Sequence, residues 1–275
     1  FVATWQSGYV EVNGLRLHYT RTGGDKPPVV LAHGFSDDGL CWTPVAEILE
    51  SDYDVIMVDA RGHGRSEAPE EGSNRTDMAS DLHGVIEALG LHRPAVIGHS
   101  MGGGTTLALA GLYPDVPSAI LLEDAAPRGL AAMGMPHNPG RPAWITEMFE
   151  NIRSKTREQL IAEQRAATPA WSEVALELVI DARLRLSPKV ANFGPPTAVD
   201  WPAILKRVTC PAMLIAADPA RGGTITAERI AAFQSYVPQL RAMTIKGAGH
   251  CVRYERFDRY MDIVRGFLAG VTETT

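Results

Sequence analysis

A serine between glycines is the strongest chemical feature of the sequence. The segment 98–102, Gly-His-Ser-Met-Gly, follows an apolar run at 95–97 and precedes a run of small residues at 103–110. This order predicts a buried strand, a sharp turn and a helix. Glycines two positions on either side of Ser100 permit so tight a turn, and the start of a helix favours negative charge beside it. The pattern therefore indicates a nucleophilic serine at a strand-to-helix elbow.

Such a serine needs a base that titrates near neutral pH, and histidine is the natural choice. Among the eight histidines, His250 ends the glycine-containing loop 247–250, between the last strand pattern and the last helical pattern. We therefore expect His250 at the same sheet edge as Ser100. Five other histidines are interpreted as structural: His18, His83 and His92 as surface residues, and His33 and His63 as supports of loop geometry. For His137, in the segment 125–200, a surface role and a substrate-contact role both stay open.

The segments around these residues predict alternating strands and helices. Asn13-Gly14 joins two alternating segments, 9–12 and 15–20, as a β-hairpin. Apolar runs predict further strands, and helical periodicity predicts the elements between them. The strand patterns are 28–32, 54–58, 95–97, 119–122, 211–216 and 240–245, and helical patterns include 43–49, 76–89 and a final one after 257. This alternation predicts a mostly parallel sheet with helices on both faces.

Residues 125–200 break this rhythm, because they are rich in Pro, Met and Trp and contain no convincing strand. Two helical patterns, 144–152 and 171–184, lie within this segment. We interpret 125–200 as a helical cap inserted into a core formed by 1–124 and 201–275. Apolar cap residues are the candidates for lining a substrate pocket, namely Met133, Trp144, Met148 and Trp171.

Four motifs at predicted strand ends carry a resemblance to a known family. They are 33–35 (His-Gly-Phe), 59–66 (Asp-Ala-Arg-Gly-His-Gly-Arg-Ser), 98–102 and 247–250 (Gly-Ala-Gly-His). In this order they resemble α/β-hydrolase-fold enzymes of the serine esterase and lactonase type, over essentially the whole chain. The resemblance implies an eight-stranded, mostly parallel sheet with an inserted cap. It also implies an oxyanion hole formed by the backbone N–H groups of Phe35 and Met101.

The acid that orients His250 is the point at which the sequence departs from the commonest family pattern. Asp218 is a single acid placed unusually close to the end of the seventh strand, where relatives carry the acid a few residues later. Some relatives carry it at the end of the sixth strand, and Asp124 stands there, 24 residues after Ser100. Both stay candidates; we favour Asp124, then Asp218, with Glu123 third.

A serine nucleophile predicts attack on a carbonyl carbon, because relatives that open epoxides or remove halide use an aspartate at the elbow. We expect a carboxylic ester hydrolase acting on a small, largely apolar ester or lactone through an acyl-enzyme. One alternative is a C–C hydrolase of dienoate products, whose substrate carboxylate would need a cap arginine: Arg128, Arg141, Arg153 or Arg165. Another alternative is a slow-turnover ligand receptor on the same scaffold.

Composition limits the partners of the chain. The net charge of −6 and the absence of a basic run argue against nucleic-acid or membrane partners, and a homodimer stays open. The three cysteines, Cys41, Cys210 and Cys251, form no metal or disulfide pattern, so we expect neither a metal nor another cofactor. No apolar stretch of 18 residues and no leader pattern is present, so we expect a cytoplasmic location, although the start at Phe1 leaves a removed leader open.

Overall fold

The computed structural model describes residues 5–70, 72–127, 143–192, 199–223 and 225–272. Within these ranges one sheet has eight strands: β1 Gln6–Val12, β2 Leu15–Arg21, β3 Pro28–Ala32, β4 Asp54–Val58, β5 Ala95–His99, β6 Ala119–Glu123, β7 Ala212–Ala217 and β8 Leu240–Ile245. Their order across the sheet is β1-β2-β4-β3-β5-β6-β7-β8. β2 is antiparallel to both β1 and β4, and the other neighbours are parallel. The predicted mostly parallel sheet is confirmed.

The opening hairpin forms because its two-residue turn accepts positive φ angles. Asn13 has a φ of 50° and Gly14 a φ of 75°. These angles match the twist of the two strands, which pair in the register Val12↔Leu15. The hairpin places β1 at the edge of the sheet.

Helices cover both faces of the sheet. They are α1 Thr43–Leu49, α2 Arg75–Ala88, α3 Met101–Leu112, α4 Ala143–Ser154, α5 Arg157–Ala167, α6 Glu173–Arg185, α7 Trp201–Leu205, α8 Ala227–Gln234, α9 Val252–Glu255 and α10 Phe257–Thr272. Side chains of α2, α3, α7 and α8 pack on one face, and those of α1 and α10 pack on the other. Of the described helices, none is long and apolar enough to cross a bilayer.

Between β6 and β7 the described chain is helical, with α4, α5 and α6 in sequence. The patterns at 144–152 and 171–184 correspond to α4 and α6, whereas α5 was not predicted. Helix α6 packs on the core, where Ala175 and Val179 join Cys41 and Tyr254 in a buried cluster. The boundaries 125–200 stay a prediction for the extent of the cap.

Candidate active site

Ser100 stands at a strained turn between β5 and α3. Its φ of 49° and ψ of −106° place a non-glycine residue outside the ordinary regions, which requires support from its surroundings. The two flanking glycines allow this turn. A Cβ on Gly98 would lie 2.4 Å from the carbonyl oxygen of Gly102, and one on Gly102 would lie 2.2 Å from that of Ala32. The sequence pattern around Ser100 thus has the predicted steric cause.

His250 pairs with Asp124 at the carboxyl edge of the sheet. Nδ1 of His250 lies 2.6 Å from Oδ2 of Asp124, whose side chain is fully buried, while the imidazole is 43% exposed. The other carboxylate oxygen of Asp124 accepts the N–H of Ala217 at 3.0 Å. Both oxygens are therefore held by donors, and the ring is oriented through Nδ1, which leaves Nε2 as its second reactive nitrogen.

Asp218, the competing acid, has different partners. Its carboxylate accepts the N–H of Ala220 at 2.9 Å and that of Gly247 at 2.7 Å. These two hydrogen bonds lower the pKa of Asp218, and the one from Ala220 caps a short 3-10 turn at 219–221. The structure thus gives Asp218 a loop-capping position and brings Asp124 to the imidazole.

A buried ion cluster lies behind this pair. The guanidinium of Arg253 is 1% exposed and donates to Glu123 and to Asp37, each at 3.0 Å. The backbone N–H of Arg253 also donates to Glu123, at 2.9 Å. Because Glu123 precedes Asp124 and Arg253 lies three residues after His250, this pairing joins the two segments that carry the acid and the imidazole.

The ionisation of the cluster follows from burial and pairing. Burial opposes the charge on Arg253, but the neighbouring tyrosine and carboxylates raise its pKa well above the ordinary value. Burial likewise opposes ionisation of Asp37, yet His99 and Arg253 hold its pKa below the usual range. Burial and the Arg253 charge lower the pKa of His99, so this ring is neutral at neutral pH. Its Nε2 lies 3.1 Å from the carbonyl oxygen of His250.

Met101 and Phe35 are the two residues whose backbone N–H groups the resemblance implies for an oxyanion hole. Met101 is the first residue of α3, where N–H groups have no acceptor within the helix. Phe35 follows Gly34, where a Cβ would lie 2.7 Å from Nδ1 of His99. Nε2 of His63 lies 2.8 Å from the carbonyl oxygen of Phe35 and helps to orient this loop. These contacts place His63 in loop support, as predicted.

His33 also has the expected loop-supporting position. Its Nε2 accepts the N–H of Ala60 at 3.0 Å, and its Nδ1 lies 2.7 Å from the carbonyl oxygen of Gly34. The prediction that His18 is a surface residue is wrong, because this side chain is 2% exposed and its Nδ1 lies 2.8 Å from Asp59. The strand pattern could not show that the loop after β4 covers this face of the hairpin.

An apolar wall from the inserted helices lies over the Phe35 loop. The rings of Phe35 and Trp144 meet edge to face, with centroids 5.2 Å apart. Met148 joins Phe35 in a cluster built on α4 and the segment 186–191. Trp171 instead packs on Tyr254, with ring centroids 4.6 Å apart, which favours a packing role. The fourth predicted pocket residue, Met133, lies outside the described residues.

Sequence reasoning missed the link between Glu123 and Arg253. The adjacent acids at 123 and 124 were noted, but only as rivals for the imidazole. In the structure Glu123, inside β6, binds Arg253, while Asp124, just after the strand, binds His250. A pair of acids at one strand end, followed far downstream by His-x-x-Arg, is the only signal that the sequence offered.

Comparison with known proteins assigns the family. A family model described as alpha/beta hydrolase fold matches residues 27–257. The chain belongs to the α/β-hydrolase fold family, and this membership supports hydrolase activity.

Individual relatives align over nearly the whole chain. The chain is 28% identical over 267 residues to N-formylmaleamate deformylase of Pseudomonas putida, covering 95% of this chain and 96% of the relative. It is 26% identical to 2-(acetamidomethylene)succinate hydrolase of Mesorhizobium japonicum, covering 88% of each. A crystal structure of N-formylmaleamic acid deformylase from Pseudomonas putida S16 superposes with a TM-score of 0.76 at 25% identity, covering 94% of this chain and 100% of that one.

Proposed function

We propose that this chain is a serine hydrolase in which Ser100 is the nucleophile, His250 the general base and Asp124 the orienting acid. The 2.6 Å contact between Asp124 and the His250 imidazole is the observation that carries the proposal. It supports a triad because a buried carboxylate on Nδ1 fixes the tautomer in which Nε2 can accept a proton. The strained elbow at Ser100 supports the same role for the serine.

The reaction follows from these positions. Nε2 of His250 takes the hydroxyl proton of Ser100 as Oγ attacks the substrate carbonyl carbon, and Asp124 stabilises the resulting imidazolium. The N–H groups of Phe35 and Met101 donate to the oxyanion. His250 then protonates the leaving group, and the acyl-enzyme is hydrolysed by a water that His250 deprotonates.

The substrate we propose is a small, largely apolar carboxylic ester or lactone. The apolar wall of Phe35, Trp144 and Met148 supports this class, because it lies beside the proposed oxyanion hole. A wall of this kind favours apolar substrate groups through removal of their surface from water.

Hydrolysis of a short N-acyl amide is the second candidate. It is favoured by the two relatives that align over most of their length, whose names describe a deformylase and the hydrolysis of an acetamido compound. The same serine, histidine and acid would act, but the leaving nitrogen must be protonated by His250 as the C–N bond breaks.

The C–C hydrolase alternative depends on a cap arginine for a substrate carboxylate. Arg153 is exposed on α4, and Arg165 pairs with Glu173 at 2.6 Å on the surface. The other two arginines considered, Arg128 and Arg141, lie outside the described residues. No described contact therefore favours this alternative.

The test compares ester, lactone and amide substrates, of which p-nitrophenyl acetate and p-nitroacetanilide share an acetyl group. Initial rates on p-nitrophenyl acetate, short lactones, p-nitroacetanilide and N-formylmaleamate separate ester, lactone and amide preference. We expect Ser100→Ala to lower kcat/KM by at least about a thousandfold and Asp124→Asn to lower kcat by about ten-thousandfold. Asp218→Asn is the matched control and should retain wild-type rates. Equal losses in Asp124→Asn and Asp218→Asn, or no loss in Ser100→Ala, would reject the proposed triad.

A further inference from the structure

Ser7 and His18 of the opening hairpin form a second serine–histidine–aspartate arrangement with Asp59, which follows β4. Ser7 Oγ is 2.7 Å from Nε2 of His18, and Nδ1 of His18 is 2.8 Å from Oδ2 of Asp59. The order of groups and the two ring nitrogens match those proposed for Ser100. The two serines are far apart in the sheet, because Ser7 lies on edge strand β1 and Ser100 follows β5.

The strand register explains why these groups meet. Ser7 pairs with Thr20 and Tyr9 pairs with His18 across the antiparallel strands. Side chains two residues apart share a face, so Ser7 and His18 are diagonal neighbours on one face of the hairpin. The ring of Tyr9 packs edge-on against His18, with centroids 5.1 Å apart. His18 is thereby held between its neighbours.

The ionisation of Asp59 fixes the direction of the hydrogen bonds. Burial opposes its charge, but the hydrogen bonds from His18 and from the N–H of Arg65 outweigh burial and lower the pKa of Asp59. The N–H of Gly39 donates to the same carboxylate at 2.7 Å. A carboxylate can only accept, so Nδ1 of His18 carries the proton towards Asp59. When the ring is neutral, Nε2 therefore carries a lone pair and accepts a hydrogen bond from the hydroxyl of Ser7.

Burial differs among Ser7, His18 and Asp59 in the way that a reactive serine requires. His18 and Asp59 are 2% and 3% exposed, whereas Ser7 is exposed. Water is therefore excluded from the base and its acid, while a reagent in solution can reach the hydroxyl. A serine next to such a base is a stronger nucleophile than an ordinary surface serine.

The position of Ser7 also limits the class of reagent. Ser7 lies within strand β1, and so it does not have the helix N-terminal N–H groups that flank Ser100. An edge strand turns some backbone N–H groups to solvent, but these are not arranged as a dedicated oxyanion hole. The reaction then depends on a good leaving group, as in an aryl ester, a thioester or a fluorophosphonate.

We propose that Ser7 is a second nucleophile, a self-acylation site for activated acyl and phosphonyl donors. Oγ of Ser7 attacks the carbonyl carbon or phosphorus, the bond to the leaving group breaks, and a serine ester forms. Nε2 of His18 receives the hydroxyl proton and passes it to the leaving group, so that no other reactant is needed. This modification is independent of the reaction proposed for Ser100.

The experiment uses the full-length Ser100→Ala protein, treated with an alkyl fluorophosphonate and, separately, with p-nitrophenyl acetate. Peptide mass spectrometry measures the labelling rate at each serine. Ser51 is the internal reference, because it is exposed and its hydroxyl bonds to Asp52 rather than to an imidazole. We expect Ser7 to be labelled at least about ten times faster than Ser51, consistent with general-base assistance.

Two variants serve as controls for the roles of His18 and Ser7. His18→Gln should reduce the Ser7 rate to that of Ser51, with folding checked by circular dichroism. Labelling of Ser7 no faster than Ser51, or labelling of Ser7 in His18→Gln as fast as in the protein that keeps His18, overturns the proposal. Ser7→Ala should retain the wild-type hydrolysis that depends on Ser100.

Discussion

Replacement of Arg253 tests how the buried ion cluster holds the site together. The substitution Arg253→Met replaces the guanidinium with an uncharged side chain. Glu123 and Asp37 then lose the donor group that lies 3.0 Å from each of them. Removal of one partner from a buried pair costs about 3–5 kcal/mol. Since two carboxylates are affected here, we expect a loss of about 5 kcal/mol in the free energy of unfolding, a large part of the stability of an ordinary domain.

The same substitution should lower turnover in the protein that remains folded. Arg253 binds Glu123 through both its backbone and its side chain, and these two residues flank the segments that carry His250 and Asp124. Looser segments misplace the imidazole, and a displacement of about 1 Å can cost a hundredfold in rate. The loss should fall on kcat rather than on KM, because in the proposed mechanism the imidazole acts in the transition state.

The assay combines urea unfolding with steady-state kinetics on the preferred substrate, below the onset of unfolding. Arg165→Met is the matched control: it removes an arginine from an exposed pair with Glu173, and its urea midpoint and kcat should equal those of the wild type. An Arg253→Met protein that is less stable than wild type by under about 1 kcal/mol would refute the cost assigned to the buried charges. A destabilised protein with unchanged kcat would refute the link between Arg253 and the proposed pair of His250 and Asp124.

Three other predictions follow from burial and steric contacts. Burial and the neighbouring His33 lower the pKa of His63 to about 4 from 6.5, so the unfolded chain binds a proton that the folded chain does not. The free energy of unfolding should therefore fall by about 3 kcal/mol between pH 6.5 and pH 4, and less steeply in His63→Asn, as measured by urea unfolding. Gly102→Ala should abolish activity and destabilise the fold, because the added Cβ would lie 2.2 Å from the carbonyl oxygen of Ala32. In Gly266→Ala on α10 the added Cβ has no atom within 4 Å, so the free energy of unfolding should rise by about 0.5–1 kcal/mol in the same assay. Leu176→Ala, at a fully buried position of α6, should cost about 2–5 kcal/mol, and a single calorimetric transition would show that α6 unfolds together with the core.

Local rules were sufficient for much of the fold. The segment 28–32 is predicted as a buried strand because it is apolar throughout. Asn13-Gly14 is predicted as a hairpin turn because both residues accept positive φ angles. Helix α5 escaped prediction because Leu160 and Ile161 are its only buried apolar side chains. Thr156 and Gln159 nevertheless form a capping box at its start, which was a usable signal in the sequence.

By itself the sequence determined the elbow at Ser100, because the need for glycine at 98 and 102 is local and steric. It also placed His250 at the correct sheet edge, because parallel strands end together. Only the tertiary structure shows which of Asp124 and Asp218 contacts His250, since both follow strands that end at that edge. Asp124 reaches the imidazole while Asp218 turns to backbone N–H groups, and such a choice depends on contacts between segments more than a hundred residues apart. The pairing of Ser7, His18 and Asp59 was hidden for the same reason, because spacing along the chain does not show which side chains share a buried face.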